Sequence, residues 1–153
     1  MTRLFLFLFL FVFSATSASA ASQADEIIET GIQYLNAPYV YGAPRLQDES
    51  FDCSSFIQYI FWKHGVEIGW TTREQAVQGE DVPFNEIKKG DLLFFTTPRR
   101  QELTGLEKVG HVGLYLGDGR VLHTFREGIG VTISRVNEKT IWYKRFLFAK
   151  RMI

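Results

Sequence analysis

The sequence predicts an α+β domain in which helices come first along the chain and an antiparallel sheet follows. In the first half, apolar residues recur at the spacing of a helix face, whereas the second half has short β-rich runs separated by turn residues. Helices and strands segregated in this way are typical of the α+β class. The length of 153 residues suits one domain, and 46% hydrophobic content suits a packed core.

The first twenty residues have the pattern of a secretory signal peptide. Arg3 gives a positive start, residues 4–13 form an unbroken apolar run, and Ala18-Ser19-Ala20 supplies small residues before a cleavage point. The run is shorter than the roughly 20 apolar residues that a membrane span needs. We therefore expect residues 1–20 to be removed on export to the periplasm or the medium, leaving residues 21–153 as the domain, without a membrane span. An uncleaved anchor is the less favoured alternative.

Three helices are predicted in the first half of the domain. The first covers Ser22–Asn36 and opens at Ser22 with a capping-box pattern. The second covers Asp52–His64, with Asp52 as its N-cap and Gly65 closing it. A third, short helix opens at Thr72, where Thr72-Arg73-Glu74-Gln75 matches a capping box.

About five strands are predicted in the second half. They cover residues 92–96, 109–116, 121–125, 131–134 and 146–150. The continuous apolar run Leu92–Phe95 is typical of a central strand buried on both faces, so we expect it to fill the core and to have no role in a site.

The charge balance excludes one class of partner. The chain has 17 basic and 17 acidic side chains, so it lacks the basic excess that neutralises phosphates, and no nucleic-acid partner is expected. The oligomeric state is left open by the sequence.

Cys53 is the chain's one cysteine, which is unusual for an exported protein, where cysteines pair into disulfides. It follows Asp52 at the predicted N-terminus of the second helix. There the helix dipole and unpaired amides favour an anion, so we expect a lowered pKa and a reactive thiolate. The alternative is a small hydrophobe on the buried stripe with Ile57 and Ile60. The helix alone does not decide between the two.

The histidines favour the nucleophile, because a catalytic cysteine needs a base and a group that orients it. His64 lies eleven residues beyond Cys53, roughly 16 Å along the helix axis, and suits the C-terminal end of the helix dipole instead. His111 and His123 remain as candidates, since both fall in predicted strands.

These two histidines flank Gly117-Asp118-Gly119. With a three-residue loop, Gly113 faces His123, and both histidines lie on the same face, roughly 5–8 Å apart. A two-residue loop would put them on opposite faces. Two converging histidines could also bind a metal, but no third ligand with zinc-like spacing accompanies them, so no metal or other cofactor is expected.

Together these segments resemble the NlpC/P60 cysteine peptidases, papain-like bacterial enzymes that cut peptidoglycan stem peptides. The segments that carry the resemblance are Asp52-Cys53-Ser54-Ser55-Phe56, Gly90-Asp91-Leu92-Leu93-Phe94-Phe95, His111-Val112-Gly113-Leu114-Tyr115-Leu116-Gly117 and Leu122-His123, with Pro38-Tyr39-Val40-Tyr41-Gly42 and Arg73-Glu74-Gln75 in support. Their order and spacing cover essentially the whole domain. The resemblance implies a papain-like fold with N-terminal helices packed on a central antiparallel sheet.

The resemblance also implies a role for each matching residue. Cys53 is the expected nucleophile, His111 the base, and His123 the polar third member that fixes the tautomer of His111. Tyr41 matches the family's tyrosine near the nucleophile and is expected to help with substrate placement or the oxyanion. Ser55 departs from the family, which usually has glycine there, and we expect its side chain to narrow the entrance.

The implied activity is cleavage of peptidoglycan stem peptides at the bond between γ-D-glutamate and a diamino acid, usually meso-diaminopimelate. One alternative is an N-acetylmuramoyl-L-alanine amidase of a related papain-like type, and another is a non-catalytic wall-binding module. Arg99 and Arg100 lie in a polar loop that we expect to be solvated; the functional alternative is that it borders the cleft and meets substrate carboxylates.

Overall fold

The computed structural model describes residues 16–153, and side chains from Gln23 onward. Arg3 and the apolar run at residues 4–13 lie outside the described residues, so the signal peptide stays a prediction. The first described helix runs through Ala20, the expected cleavage point. Among the described helices, none combines the length and the apolar character that crossing a membrane takes.

Helices and strands alternate little along the chain, as expected for an α+β domain. In chain order the elements are α1 Thr16–Gln33, α2 Cys53–Trp62, α3 Thr72–Ala76, β1 Glu80–Val82, β2 Leu92–Phe95, β3 His111–Gly117, β4 Arg120–Thr124, β5 Val131–Arg135, α4 Ile141–Arg145 and β6 Phe146–Arg151. The strands form one sheet in the order β1-β6-β2-β3-β4-β5, and neighbouring strands are antiparallel throughout. The predicted fold class is confirmed.

The helix boundaries correct two predicted caps. Helix α1 is already formed at Ser22, so Ser22 does not start it. The N-cap of α3 is Thr71, whose side chain accepts a hydrogen bond from the Glu74 amide, whereas Thr72 is the first helical residue. In both places a short-range pattern fits two positions, and only the backbone path decides between them. Asp52 as the N-cap of α2 is confirmed.

The five predicted strands are confirmed, and the structure adds β1 and α4. Strand β1 is three residues long and pairs with the edge of β6, with Glu80 opposite Arg151. Helix α4 has five residues and begins after Thr140, whose hydroxyl accepts a hydrogen bond from the Tyr143 amide. Elements this short have too few residues to show a period, which is why the sequence pattern missed them.

The β3–β4 hairpin has a two-residue loop, not the predicted three-residue loop. Gly117 pairs with Arg120, and both Asp118 and Gly119 have positive φ, as in a type I′ turn. A bulge between Tyr115 and Gly117 adds one residue to β3. Because the bulge offsets the shorter loop, Tyr115 still pairs with Val121 in the predicted register, and the histidines still share one face.

The sheet is covered on both faces. Between the sheet and the helices α1 and α2 lies the larger core cluster, which includes Ile27, Phe56 and Leu92. On the other face, Trp142 of α4 packs with Phe95 and other residues in a smaller cluster. Every residue of β2 is therefore buried, as the apolar run predicts.

Candidate active site

The start of helix α2 is held by a reciprocal pair of hydrogen bonds. The Ser55 amide donates to Asp52 Oδ1 at 2.7 Å, and the Asp52 amide donates to Ser55 Oγ at 2.9 Å. This capping box fixes Cys53 as the first helical residue. The Cys53 amide therefore lies in the first turn, without an intrahelical acceptor, and can serve as an oxyanion donor.

The thiol of Cys53 lies between helix α3 and strand β3. Its Sγ is 3.4 Å from Thr72 Oγ1, and it also has hydrogen-bond contacts to the backbone of Ser54 and Val112. Val112 directly follows His111 on β3. The thiol thus faces the sheet at the strand that carries His111.

The electrostatics of the thiol correct the expectation of a lowered pKa. Burial raises the pKa of Cys53 and the charge of Asp52 raises it further, while the Thr72 hydroxyl and the two backbone groups lower it. Helix position alone predicted a thiolate, but the desolvation of a charged sulfur outweighs the effect of the helix. Burial therefore favours the neutral thiol form of Cys53 over the thiolate.

Arg45 offsets the negative charge next to the nucleophile. Its Nη1 lies 3.1 Å from Asp52 Oδ1 and also donates to Ser54 Oγ at 3.3 Å. Because Asp52 precedes Cys53 and disfavours a thiolate, this cation limits the penalty of forming one.

The two histidines are joined directly, and a third polar group follows them. His111 Nε2 lies 2.9 Å from His123 Nδ1, and His123 Nε2 lies 2.9 Å from Ser134 Oγ. The ring centroids of the two histidines are 5.0 Å apart. The predicted convergence and the predicted hydrogen bond are therefore confirmed. The absence of a side chain at Gly113 leaves room for the His123 ring, since a Cβ on residue 113 would lie 3.1 Å from His123 Cβ.

A role for His111 as a base would set the protons along this chain of contacts. For His111 to act as a base at Nδ1, its Nε2 must hold the hydrogen and donate it to His123 Nδ1. His123 Nε2 then donates to Ser134, so each ring is neutral and each bond has one donor. The Ser134 hydroxyl can accept that hydrogen, so the whole chain of contacts is compatible with a free Nδ1 on His111.

Both imidazoles are held neutral. Burial lowers the pKa of His111 well below its usual value, and the nearby His123 and Arg145 act in the same direction. Burial also lowers the pKa of His123 to about 4. A neutral thiol beside a neutral imidazole suits general-base activation of the nucleophile during attack.

Cys53 and His111 line one cavity of about 820 Å³. Its wall also includes Tyr41, Thr72 and the loop around Arg99. The polar loop that carries Arg99 and Arg100 therefore borders the cleft, which is the alternative to a purely solvated loop that the sequence left open. His123 is not on that wall; it is 1% exposed and lies behind His111. In the part of the chain that the structure describes, no three potential metal ligands converge.

Two tyrosines flank the nucleophile, and the sequence pointed to one of them. Tyr41 lines the cavity but is 90% exposed. Tyr39 lines the same cavity and is anchored by a β-bridge to Phe51. Its pKa is raised mainly by burial, and the neighbouring Cys53 and Asp52 act in the same direction. The role expected for Tyr41 remains a prediction, and Tyr39 is a second candidate for it.

The structure corrects the expectation for Ser55 and places His64 away from the cavity. Ser55 is 1% exposed and its hydroxyl belongs to the capping box, so it does not narrow the entrance. His64 lies just beyond the end of α2, where its Nε2 is 2.7 Å from Thr30 Oγ1. Glu26 approaches the other ring nitrogen of His64 at 3.6 Å.

Sequence reasoning missed Thr72, Ser134 and Trp142 as neighbours of the site. A capping signal did exist for α4, because Thr140 can cap a helix and Lys144 and Arg145 suit a last turn. For Thr72 and Ser134 no sequence signal was available, since each is a small hydroxyl residue brought near by the fold.

Comparison with known proteins agrees with this geometry. The pattern of the NlpC/P60 family matches residues 36–151. The chain is similar to the γ-D-glutamyl-L-lysine dipeptidyl-peptidase of Bacillus subtilis, with 37% identity over 84% of this chain and 40% of that protein. It is also similar to the probable endopeptidase YafL of Escherichia coli, with 36% identity over 79% of this chain and 47% of that protein. The chain thus spans less than half the length of either relative.

Solved structures show the same fold. An NlpC/P60 family protein from Bacillus cereus superposes with a TM-score of 0.74 at 31% identity, over 84% of this chain and 40% of that one. The peptidoglycan hydrolase RipB of Mycobacterium tuberculosis gives a TM-score of 0.72 at 29% identity, over 89% of this chain and 67% of that one. The family pattern, the relatives and the paired Cys53 and His111 cavity agree, and this chain belongs to the NlpC/P60 family.

Proposed function

We propose that the protein is a cysteine endopeptidase that cleaves peptidoglycan stem peptides at the bond between γ-D-glutamate and a diamino acid. The observation that carries the proposal is that Cys53 and His111 line one cavity, with His123 hydrogen-bonded behind the base. A nucleophile, a base and an orienting group are the set that acyl transfer requires.

The geometry supports a two-step reaction. Cys53 Sγ attacks the carbonyl carbon as His111 Nδ1 takes the thiol proton, and the Cys53 amide stabilises the oxyanion. His111 then gives the proton to the leaving amine of the diamino acid, which yields a thioester. A water molecule, deprotonated by His111, hydrolyses the thioester and regenerates the thiol.

The relatives support the choice of bond. Besides the dipeptidyl-peptidase of Bacillus subtilis, they include a protein named peptidoglycan DL-endopeptidase from Bacillus licheniformis, 35% identical over 78% of this chain. A further relative from Bacillus subtilis is named γ-DL-glutamyl hydrolase. The names of two of these relatives refer to a γ-glutamyl group.

The cavity wall carries three guanidinium groups and two carboxylates, those of Asp52 and Glu107, which leaves a small excess of positive charge. Arg73 and Arg100 both approach Glu107, at 3.8 and 3.3 Å, and Arg99 lines the same wall. A glutamate linked through its γ-carboxyl keeps its α-carboxylate free next to the scissile bond. Guanidinium groups bind such carboxylates well, so this wall supports a substrate that carries them.

Digestion of purified muropeptides tests the proposal. Wild-type protein should release fragments that begin with the free amine of the diamino acid, identified by mass spectrometry, whereas folded Cys53→Ala should release none. Products that separate the whole peptide from the sugar would instead identify an amidase. Absence of any product from disaccharide tetrapeptides would favour the wall-binding module and contradict the proposal.

We further propose that the protein acts outside the cytoplasm, in the periplasm or the medium. The support is the order of Arg3, the apolar run at residues 4–13 and the small residues up to Ala20. N-terminal sequencing of the protein recovered from those fractions should begin after Ala20, and an intact Met1 there would contradict the proposal.

A further inference from the structure

Trp142 is the aromatic residue most closely associated with both histidines. Its ring stacks on His111, with centroids 5.0 Å apart and planes inclined by 30°. It also meets His123 edge to face, with centroids 4.6 Å apart. Trp142 is 8% exposed and packs against Phe95 and Phe125 as well, so its own position is fixed.

A stacked indole can do two things for an imidazole base. It restricts rotation of the ring, so Nε2 of His111 stays directed at His123 while Nδ1 is kept for the thiol. It also offers the electron-rich face of the indole to the positive charge that His111 acquires when it takes the proton. The stacked arrangement, with planes inclined by only 30°, is the one in which a ring face meets the base.

We propose that Trp142 is a positioning residue for catalysis, which holds the His111 ring in place and stabilises its imidazolium form during proton transfer. This inference rests on the proposed function, because it concerns the base of that reaction. Helix α4 then has a function in the site, because this short helix, capped by Thr140, places Trp142 against the face of the sheet that carries the two histidines.

The charged and titratable groups around His111 come from three elements. Cys53 of α2 faces the same cavity, and His123 of β4 bonds to the ring. His123 and, less strongly, Arg145 of α4 disfavour the cationic form of His111. Arg145 Nε is buried without a hydrogen-bond partner among the described residues, so its charge is poorly screened there. Without Trp142, these groups would leave the imidazolium with little to stabilise it.

Alkylation of Cys53 by iodoacetamide, followed against pH, tests the inference without any peptidoglycan. Trp142→Leu should react at least fivefold more slowly at pH 6–7, since the thiolate and imidazolium form together. With muropeptide substrate, its kcat should fall at least tenfold while KM stays within twofold, and Trp142→Phe should recover most of both losses. Tyr143→Leu is the matched control, because Tyr143 lies on the same helix, is half-exposed and packs on Phe84.

Fluorinated tryptophan separates charge stabilisation from packing. In a Trp62→Phe/Trp70→Phe background, tetrafluorotryptophan at position 142 keeps the shape of the indole but weakens its electron-rich face. Alkylation at pH 6–7 should slow several-fold with an unchanged melting temperature, and this measurement decides the matter if Trp142→Leu fails to fold. Wild-type alkylation profiles in the folded Leu variant or in the fluorinated protein would overturn the inference. A shifted alkylation profile with no muropeptide cleavage by the wild type would overturn the proposed function alone.

Discussion

The two sides of the cleft are built in opposite ways. On the helix side, Cys53 is half-buried and its neighbours are polar: Asp52, Arg45 and the Thr72 hydroxyl. On the sheet side, His111 is enclosed by the rings of Trp142 and His123. Burial disfavours the charged form of both groups. At Cys53, hydrogen bonds from Thr72 and the backbone partly offset this effect. At His111, the nearby His123 and Arg145 add to it.

This difference explains why the base is the more demanding of the two groups. At the thiol, hydrogen bonds from Thr72 and the backbone offset part of the cost of forming the charged sulfur. A buried imidazole can accept a proton only if something in an apolar surrounding stabilises the charge. Trp142 is placed to do that, because the face of its ring lies against His111. The changes with the largest measurable consequences therefore lie on the sheet side.

The largest expected effect comes from removing the base. His111→Ala should lower kcat by about 10²–10⁴-fold, the range typical of general-base catalysis. Muropeptide cleavage followed by mass spectrometry measures the loss, and a thermal melt shows whether the variant is folded. His64→Ala is the matched control, since that histidine contacts Thr30 away from the cavity. Near-normal activity in folded His111→Ala would remove the base from the mechanism.

A second effect is on stability rather than rate. Because the pKa of His123 is about 4 in the folded state against 6.5 in the unfolded state, the unfolded state binds more protons between these values. The stability that neutral His123 provides is complete above pH 6.5 and is lost as the pH falls through that value towards 4. The loss should reach about 3 kcal/mol, at 1.36 kcal/mol per pKa unit.

Urea unfolding at a series of pH values measures this loss. His123→Gln should remove much of the dependence, leaving the part due to His111, whose pKa is lowered in the same direction. His64→Ala again serves as a control and should keep the dependence. A wild-type unfolding free energy that stays constant from pH 7 to pH 4 would contradict neutral burial of these rings.

The smallest expected effect is a conservative change of the orienting group. His123→Gln keeps a polar group that can accept a hydrogen bond from Nε2 of His111, so part of kcat should remain and the loss should be smaller than in His111→Ala. Ser134→Ala should cost less again, because it acts on His111 only through His123. Complete loss of cleavage in folded His123→Gln would assign His123 a proton-transfer role instead, or a metal if zinc reversed the effect of a chelator.

Much of the helix side could be predicted from the sequence, because it depends on local contacts. Asp52 caps α2 through a hydrogen bond that spans three residues, so the pattern around Cys53 was enough to place the nucleophile at the start of a helix. The apolar run Leu92–Phe95 likewise identified a strand buried on both faces. At such positions, residues close in sequence are enough to determine whether a helix begins or a strand is buried.

The sequence by itself thus determined the α+β class, the capped helix that carries Cys53 and the shared face of His111 and His123. The tertiary structure alone decided the bulge that keeps this face shared around a shorter loop, the contacts of Ser134 and Trp142, and the protonation of the thiol and the imidazoles. The physical reason is how far apart in the sequence the interacting residues lie. A cap or a strand period involves neighbours a few residues apart, whereas burial and ring stacking depend on segments that meet only when the sheet and α4 have packed together.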